Sequence, residues 1–260
     1  TLNVDLSRLV IGYFFTPDEY AIFANAAREL PVTLLATSIT AVLLPTMVRL
    51  LAANEREELL RVWGSAIKLS FCFMCLVVGG FLVFAPEIMT LFYSEKYVTA
   101  AGVTVFRIYS LILLIKAIYW GIVLNATGNT KFILYCSILT LVFNLGGSIV
   151  CCRLLGFIGP AISTLVVTLI MALAQLIYSS NIIKISIFRI FPWKSIGFLL
   201  VEMLCFCCLF AGIRYLLLRE FDLHRISIMV ALGLGGGWAL LYAGINLNFI
   251  KRNWTILKER

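Results

Sequence analysis

The sequence predicts an all-α polytopic membrane protein, a transmembrane helix bundle of about eight spans, on three observations. Hydrophobic residues make up 62% of the 260 and charged residues only 13%, where a soluble domain averages about 45–50% and about 25%. Mean hydropathy is +1.03. Apolar runs of roughly 20 residues recur along the chain, each long enough to cross a hydrocarbon core of about 30 Å. They lack the strict alternation and roughly ten-residue length of barrel strands. Helices are then the remaining way to satisfy the backbone in lipid.

In order, the apolar segments fall near 1–15, 20–48, 62–85, 102–124, 132–152, 159–180, 195–217 and 226–249. The first, containing "LVIGYFF", is too short to span alone. A start on Thr1 with no signal peptide before it reads as a piece that begins inside a helix. The second segment holds Pro31 and Pro45, and each proline removes a backbone bond and should bend its helix. Between spans, "PEIMTLFYSEKY" (86–97) and "IKISIFRIFPWK" (183–194) read as interfacial connectors. No large soluble domain fits between any two spans.

Eight segments place both ends on one side, and the basic residues say which side. Arg49, Arg56, Arg61, Lys131, Lys184, Arg189, Lys194, Lys251, Arg252, Lys258 and Arg260 cluster at one set of ends. Only Lys96, Arg153, Arg214, Arg219 and Arg225 lie at the other. The positive-inside rule makes the first set, with the C-terminus, cytoplasmic. The net charge of +8 is mostly this bias, so it does not point to nucleic acid.

The eight cysteines lie in or beside the spans. Cys72 and Cys75 form a CxxC, but a zinc or redox site needs a second pair or histidines. The one histidine, His224, sits near a segment end. The cysteines read as small buried hydrophobes, and no metal or cofactor is expected.

Five bases, Arg8, Arg28, Lys68, Arg107 and Lys116, and three acids, Asp5, Glu29 and Glu202, fall inside the spans. Such charges are costly and face a polar interior or each other. Asn25, Glu29, Thr33, Thr37 and Thr40 recur every three or four residues and share one helical arc, with Arg28 at its flank. Asp5 and Arg8, three apart, can pair. Lys116 lies deep in its span, with Arg107 on the opposite face of the same helix. Lys68, near an inner end, reads as a snorkelling side chain, and Glu202 as a hydrogen-bonded acid. Bases outnumber acids, and a cavity lined by Arg and Lys suits an anion such as a phosphate. An acid beside an arginine could instead carry H+ or Na+.

The ordered set "LNVDLSRLVIGYFFTPDEYAIFANAARELPVTLLATSITAVLLPTM", "LFYSEKYVTAAGVTVFRIYS", "NATGNTKFIL" and "LLGFIGPAIST" resembles the C-terminal half of the oligosaccharide flippases. These form the polysaccharide-biosynthesis branch of the superfamily that also holds multidrug extrusion transporters and the lipid II flippase. The resemblance runs over essentially all 260 residues, and no single motif carries it. It implies half of a fourteen-helix, two-lobe transporter. Residues 1–180 would form a six-helix transport lobe and 181–260 two additional helices with a cytoplasmic tail. The implied function is movement of an undecaprenyl-pyrophosphate-linked oligosaccharide outward across a bacterial inner membrane, beside the polymerase or ligase machinery that uses it. By the same resemblance Arg28, Arg8, Lys116 and Asn25 would meet substrate. Asp5 and Glu29 would pair with cations or carry the coupling ion, and Pro31 and Pro45 would supply bends.

Two other readings compete. A multidrug extrusion antiporter would want acids in its cavity, and this stretch offers bases. A membrane-embedded glycan polymerase would want a long outer loop, and an acyltransferase an intramembrane histidine; the sequence has neither.

Overall fold

A computed structural model describes residues 2–28, 33–93, 95–220 and 227–258. Among the described residues there are twelve α-helices and two short 3-10 turns, and no strand. The eight apolar segments resolve as follows. The first is α1 (Leu2–Phe14). The second divides into α2 (Pro17–Ala26) and α3 (Thr33–Ala52). The third is α4 (Arg56–Val83), followed by the short α5 (Ala85–Phe92). The fourth divides into α6 (Ala100–Lys116) and α7 (Ile122–Ala126). The fifth and sixth are α8 (Thr130–Leu155) and α9 (Gly159–Ile183). A single turn, α10 (Ile187–Ile190), leads to α11 (Trp193–Glu220), and α12 (Ser227–Lys258) closes the chain.

Local chemistry sets several of these ends. Thr16 caps α2 and Glu19 reaches back to the Thr16 amide at 3.0 Å, a capping box reinforced by Pro17. Four stretches are long and apolar enough to cross a membrane, and one of them, Thr130–Ile183, doubles back on itself. It turns at Gly156, whose φ of 64° suits a residue without a Cβ. The return is tight: a Cβ at Gly159 would stand 2.2 Å from the Cys151 carbonyl oxygen. At the far end of this hairpin Phe132 stacks on Tyr178, with ring centroids 3.8 Å apart.

Helix α4 is the hub. It packs against α3, α6, α11 and α12, and its Cys72, Cys75, Met74 and Val78 are buried in the largest apolar cluster. All eight cysteines are free. Where α12 crosses α4, Gly79 lets the Trp238 indole lie against the backbone; a Cβ there would fall 2.3 Å from the ring. The indole Nε1 donates to the Leu76 carbonyl at 2.9 Å. A second apolar cluster joins α1, α2, α5 and α6 around Ile11, Phe23, Met89 and Phe106.

Buried polar groups pin α1 to the α8–α9 hairpin. The Asn144 amide donates to the Asn3 carbonyl at 2.9 Å, Thr164 Oγ1 donates to Asn144 Oδ1 at 3.2 Å, and Ser7 Oγ lies 2.9 Å from Thr164 Oγ1. In hydrocarbon such pairs replace the water that is absent.

One feature of the sequence reads differently in three dimensions. Arg214, counted with the loop and end charges, lies within α11 and forms an ion pair at 2.5 Å with Glu87 of α5, which is buried. Helix α3 continues through Pro45, so a bend there would be a kink within one helix. Glu202, in α11, accepts a hydrogen bond at 2.7 Å from the Asn246 amide of α12.

Candidate functional site

The two divided segments set the site. Helix α2 ends at Ala26 with Ala27 as its cap, and the Arg28 amide reaches back to the Asn25 carbonyl at 3.2 Å. This places Arg28 at the end of a helix, where its side chain is exposed and lines a cleft with Ala26. The opposite walls are Phe81 of α4 and Phe106, Tyr109, Ser110 and Leu113 of α6. The cleft has a volume of about 10 Å³, room for a single water.

Arg8 approaches from α1. Its Nη1 bonds Asp5 Oδ1 at 3.1 Å and its Nη2 bonds the Ala24 carbonyl of α2 at 3.1 Å. Its Nε is buried without a hydrogen-bond partner. The Asp5–Arg8 pair of adjacent turns is therefore formed, and it also ties α1 to α2. Arg28 and Arg8 both stand near one group, Tyr93, which follows α5. Burial pushes the Tyr93 phenol above its ordinary value, and the positive fields of Arg28 and then Arg8 pull it back down. Arg8 is bonded to α2 and Arg28 follows that helix, so both cations stand near Tyr93, while neither Arg8 nor Tyr93 lines the Arg28 cleft.

The remaining expected site residues are placed as follows. Asn25 is half-buried and donates its amide to the Ala21 carbonyl of its own helix at 2.9 Å. Lys116 ends α6, one turn beyond Ile112 and Leu113 on the same face, and does not line the cleft. A cation there suits the negative end of the helix dipole. Arg107 points away to the Leu82 carbonyl, 3.0 Å from its Nε. Glu29 and Pro31 lie outside the described residues, as do the side chains of Thr33, Thr37 and Thr40. Among the described residues no cluster of His, Cys, Asp or Glu could hold a metal.

Sequence reasoning passed over Tyr93 and the α6 wall. Tyr93 belongs to a stretch that reads as a bland connector. Tyr109 and Ser110 are small signals inside an apolar run whose period does not single them out.

The comparisons agree with this architecture. A solved structure, titled "Lipid II flippase MurJ, inward closed conformation", superposes with a TM-score of 0.70 at 18% identity, covering 96% of this chain. The chain spans about half of that structure's length, 52%. No curated protein matches by sequence. The family model described as "Lipid II flippase MurJ" matches residues 6–234. That branch stands in the same superfamily as the oligosaccharide flippases, and it is a branch of transporters and not of enzymes. The chain belongs to the MurJ lipid II flippase family.

Proposed function

We propose that the full-length protein moves a polyprenyl-pyrophosphate-linked saccharide across the bacterial inner membrane by alternating access, with its C-terminus cytoplasmic. The observation that carries this is that Arg8, bonded to α2 at the Ala24 carbonyl, and Arg28, just beyond the end of α2, both stand near Tyr93. Paired guanidinium groups match the geometry and charge of a pyrophosphate, which accepts from several N–H donors at once. Family membership favours lipid II as the saccharide carrier. An oligosaccharide repeat unit presents the same pyrophosphate to the same cations, and the motifs shared with that branch keep it as the second reading.

In this scheme Arg28 and Arg8 hold the pyrophosphate, and Lys116 sits deeper along the α6 face that continues from the cleft. Asn25 flanks Arg28 on the last turn of α2. Asp5 keeps Arg8 in place and, with Glu29, is the candidate to carry H+ or Na+. Pro31 and Pro45 supply the bends about which the helices move. Residues 1–180 form the transport lobe, and residues 181–260 add α11 and α12, both packed on α4.

The test uses the full-length gene, depleted and then restored as wild type or as Arg28→Ala. The quantity read is the pool of lipid-linked precursor left on the inner leaflet. Accumulated lipid II that wild type clears and Arg28→Ala does not clear supports the first reading. Accumulated repeat units with normal lipid II support the second. If neither accumulates while tolerance to cationic drugs falls, the protein is an extrusion pump and the anion site is wrong.

A further inference from the structure

A second concentration of positive charge lies far from Arg28. At the basic end of the bundle, the first turns of α4, the start of α11 and the last turns of α12 enclose a cavity of about 460 Å³. That is within the range of small-ligand sites, about 300–1,000 Å³. Arg61 and Lys68 of α4, Arg189 of α10 and Arg252 of α12 line it, with Ser65 and Asn253 between them. Among the described residues no Asp or Glu lines it.

The charges are unevenly compensated. Arg189 pairs with Glu57 at 2.7 Å, and Arg61 lies 3.7 Å from Glu58. Lys68 and Arg252 both line the cavity and form no ion pair among the described residues. Like charges facing one another across a cavity disfavour the arrangement unless an anion sits between them. The first turn of α11, where Ser195 also lines the cavity, adds the positive end of a long helix dipole.

The depth is that of a headgroup. From Arg61 to Lys68 the wall descends about 10 Å along α4 at 1.5 Å per residue, from the helix end into the bundle. Ile190, Pro192, Phe249 and Ile256 supply apolar surface beside the cations. The Arg28 cleft touches α4 at Phe81, about 20 Å beyond Lys68 along the same helix. The two sites are separate.

We propose that this cavity binds a phosphate-bearing anion at the basic face of the bundle, either the headgroup of an anionic membrane lipid or free phosphate. Basic pockets between helices on the cytoplasmic side suit lipid phosphates. The proposal needs only the membrane orientation and does not rest on the transported substrate.

The experiment takes the purified full-length protein in detergent and counts bound lipid by native mass spectrometry. Phosphatidylglycerol is titrated against phosphatidylcholine, with and without inorganic phosphate. The variants are Lys68→Gln/Arg252→Gln, the charge-keeping Lys68→Arg/Arg252→Lys, and Lys131→Gln/Lys258→Gln, which removes two charges elsewhere at the same end. For a lipid site, phosphatidylglycerol binds in preference, and Lys68→Gln/Arg252→Gln weakens it about 30-fold, near fivefold per cation. The other two variants then bind as wild type, which also shows that the charge-removing pair has not acted through misfolding. For a free-phosphate site, phosphatidylglycerol shows no preference, and inorganic phosphate raises the Tm of wild type but not of Lys68→Gln/Arg252→Gln. The proposal is overturned if neither preference depends on Lys68 and Arg252. It is equally overturned if Lys131→Gln/Lys258→Gln has the same effect.

Discussion

Glu87 of α5 and Arg214 of α11 meet at 2.5 Å and are linked by a second bond, from Arg214 Nε, at 2.8 Å. They lie 127 positions apart in the chain, and Glu87 keeps only 7% of its side chain exposed. The pair joins the short α5 to the long α11. Removing one partner of a buried pair leaves the other charge uncompensated, at a cost of about 3–5 kcal/mol when fully buried. Arg214 is partly exposed, so Arg214→Ala should cost about 2–3 kcal/mol, read as a lowered Tm in detergent. The swap Glu87→Arg/Arg214→Glu should recover part of it. If Arg214→Ala melts like wild type, the pair contributes nothing.

Arg28→Ala should lower transport-dependent growth or precursor clearance by about 10- to 100-fold, the worth of one or two charge-assisted hydrogen bonds. Arg28→Lys should retain part of the function, since it keeps charge but loses the forked geometry. Equal loss in both variants would mean that geometry decides, and no loss in either would remove Arg28 from the site.

Gly79 and Gly64 lie on the same helix and should respond oppositely to alanine. At Gly79 the new Cβ would strike the Trp238 ring, and at Gly64 it meets nothing within 4 Å. Overpacking costs about 1–3 kcal/mol, whereas Gly→Ala in an open helix position gains about 0.5–1 kcal/mol. Thermal unfolding of the two variants side by side decides this. A destabilised Gly64→Ala together with a neutral Gly79→Ala would contradict the packing of α12 on α4.

Asn144→Leu should destabilise the protein by about 1–2 kcal/mol. It removes the bond that the Asn144 amide makes to the Asn3 carbonyl and the one it accepts from Thr164, leaving each with only its Ser7 or own-helix partner. Because the bonds tie α1 to the hairpin, amide exchange should rise first in α1. Uniform exchange across the molecule would argue against that link.

The capping box gives a pH dependence with a definite sign. Hydrogen bonds from the Thr16 backbone and hydroxyl hold the Glu19 carboxyl below its ordinary value. A depressed carboxylate contributes stability above its unfolded pKa and loses it as pH falls through the folded value. Protection of the first turn of α2 should therefore fade below the ordinary carboxylate range, and Thr16→Ala should abolish that fading. Hydrogen exchange of the α2 amides between pH 7 and about pH 3 reads it.

Much of this architecture is legible in the sequence because hydropathy and length report spans directly. All eight apolar segments correspond to helices, and the positions of Asp5 and Arg8 were enough to anticipate their pair. The division after Lys116 was not legible: "AIYWG" is as apolar as its flanks and carries no proline. The Glu87–Arg214 pair was hidden for a different reason. A contact across 127 positions leaves no periodic trace, and each residue alone looks like an interfacial charge. Lys68 illustrates the same limit. Its place near a helix end is visible in one dimension, whereas the facing Arg252 belongs to a helix far along the chain.

The hub position of α4 has a consequence for how freely this protein can vary. Of its most apolar stretch 61% is buried, against 22% in α11 and 11% in α12. Residues that touch several neighbours must satisfy several shapes at once, whereas residues on an outward face need only be greasy. In a library covering every position, α4 should accept the fewest replacements, with Gly79 and the cysteines among the strictest. Helices α11 and α12 should drift widely among apolar residues, held mainly at Trp238, Tyr242 and the Asn246–Glu202 contact.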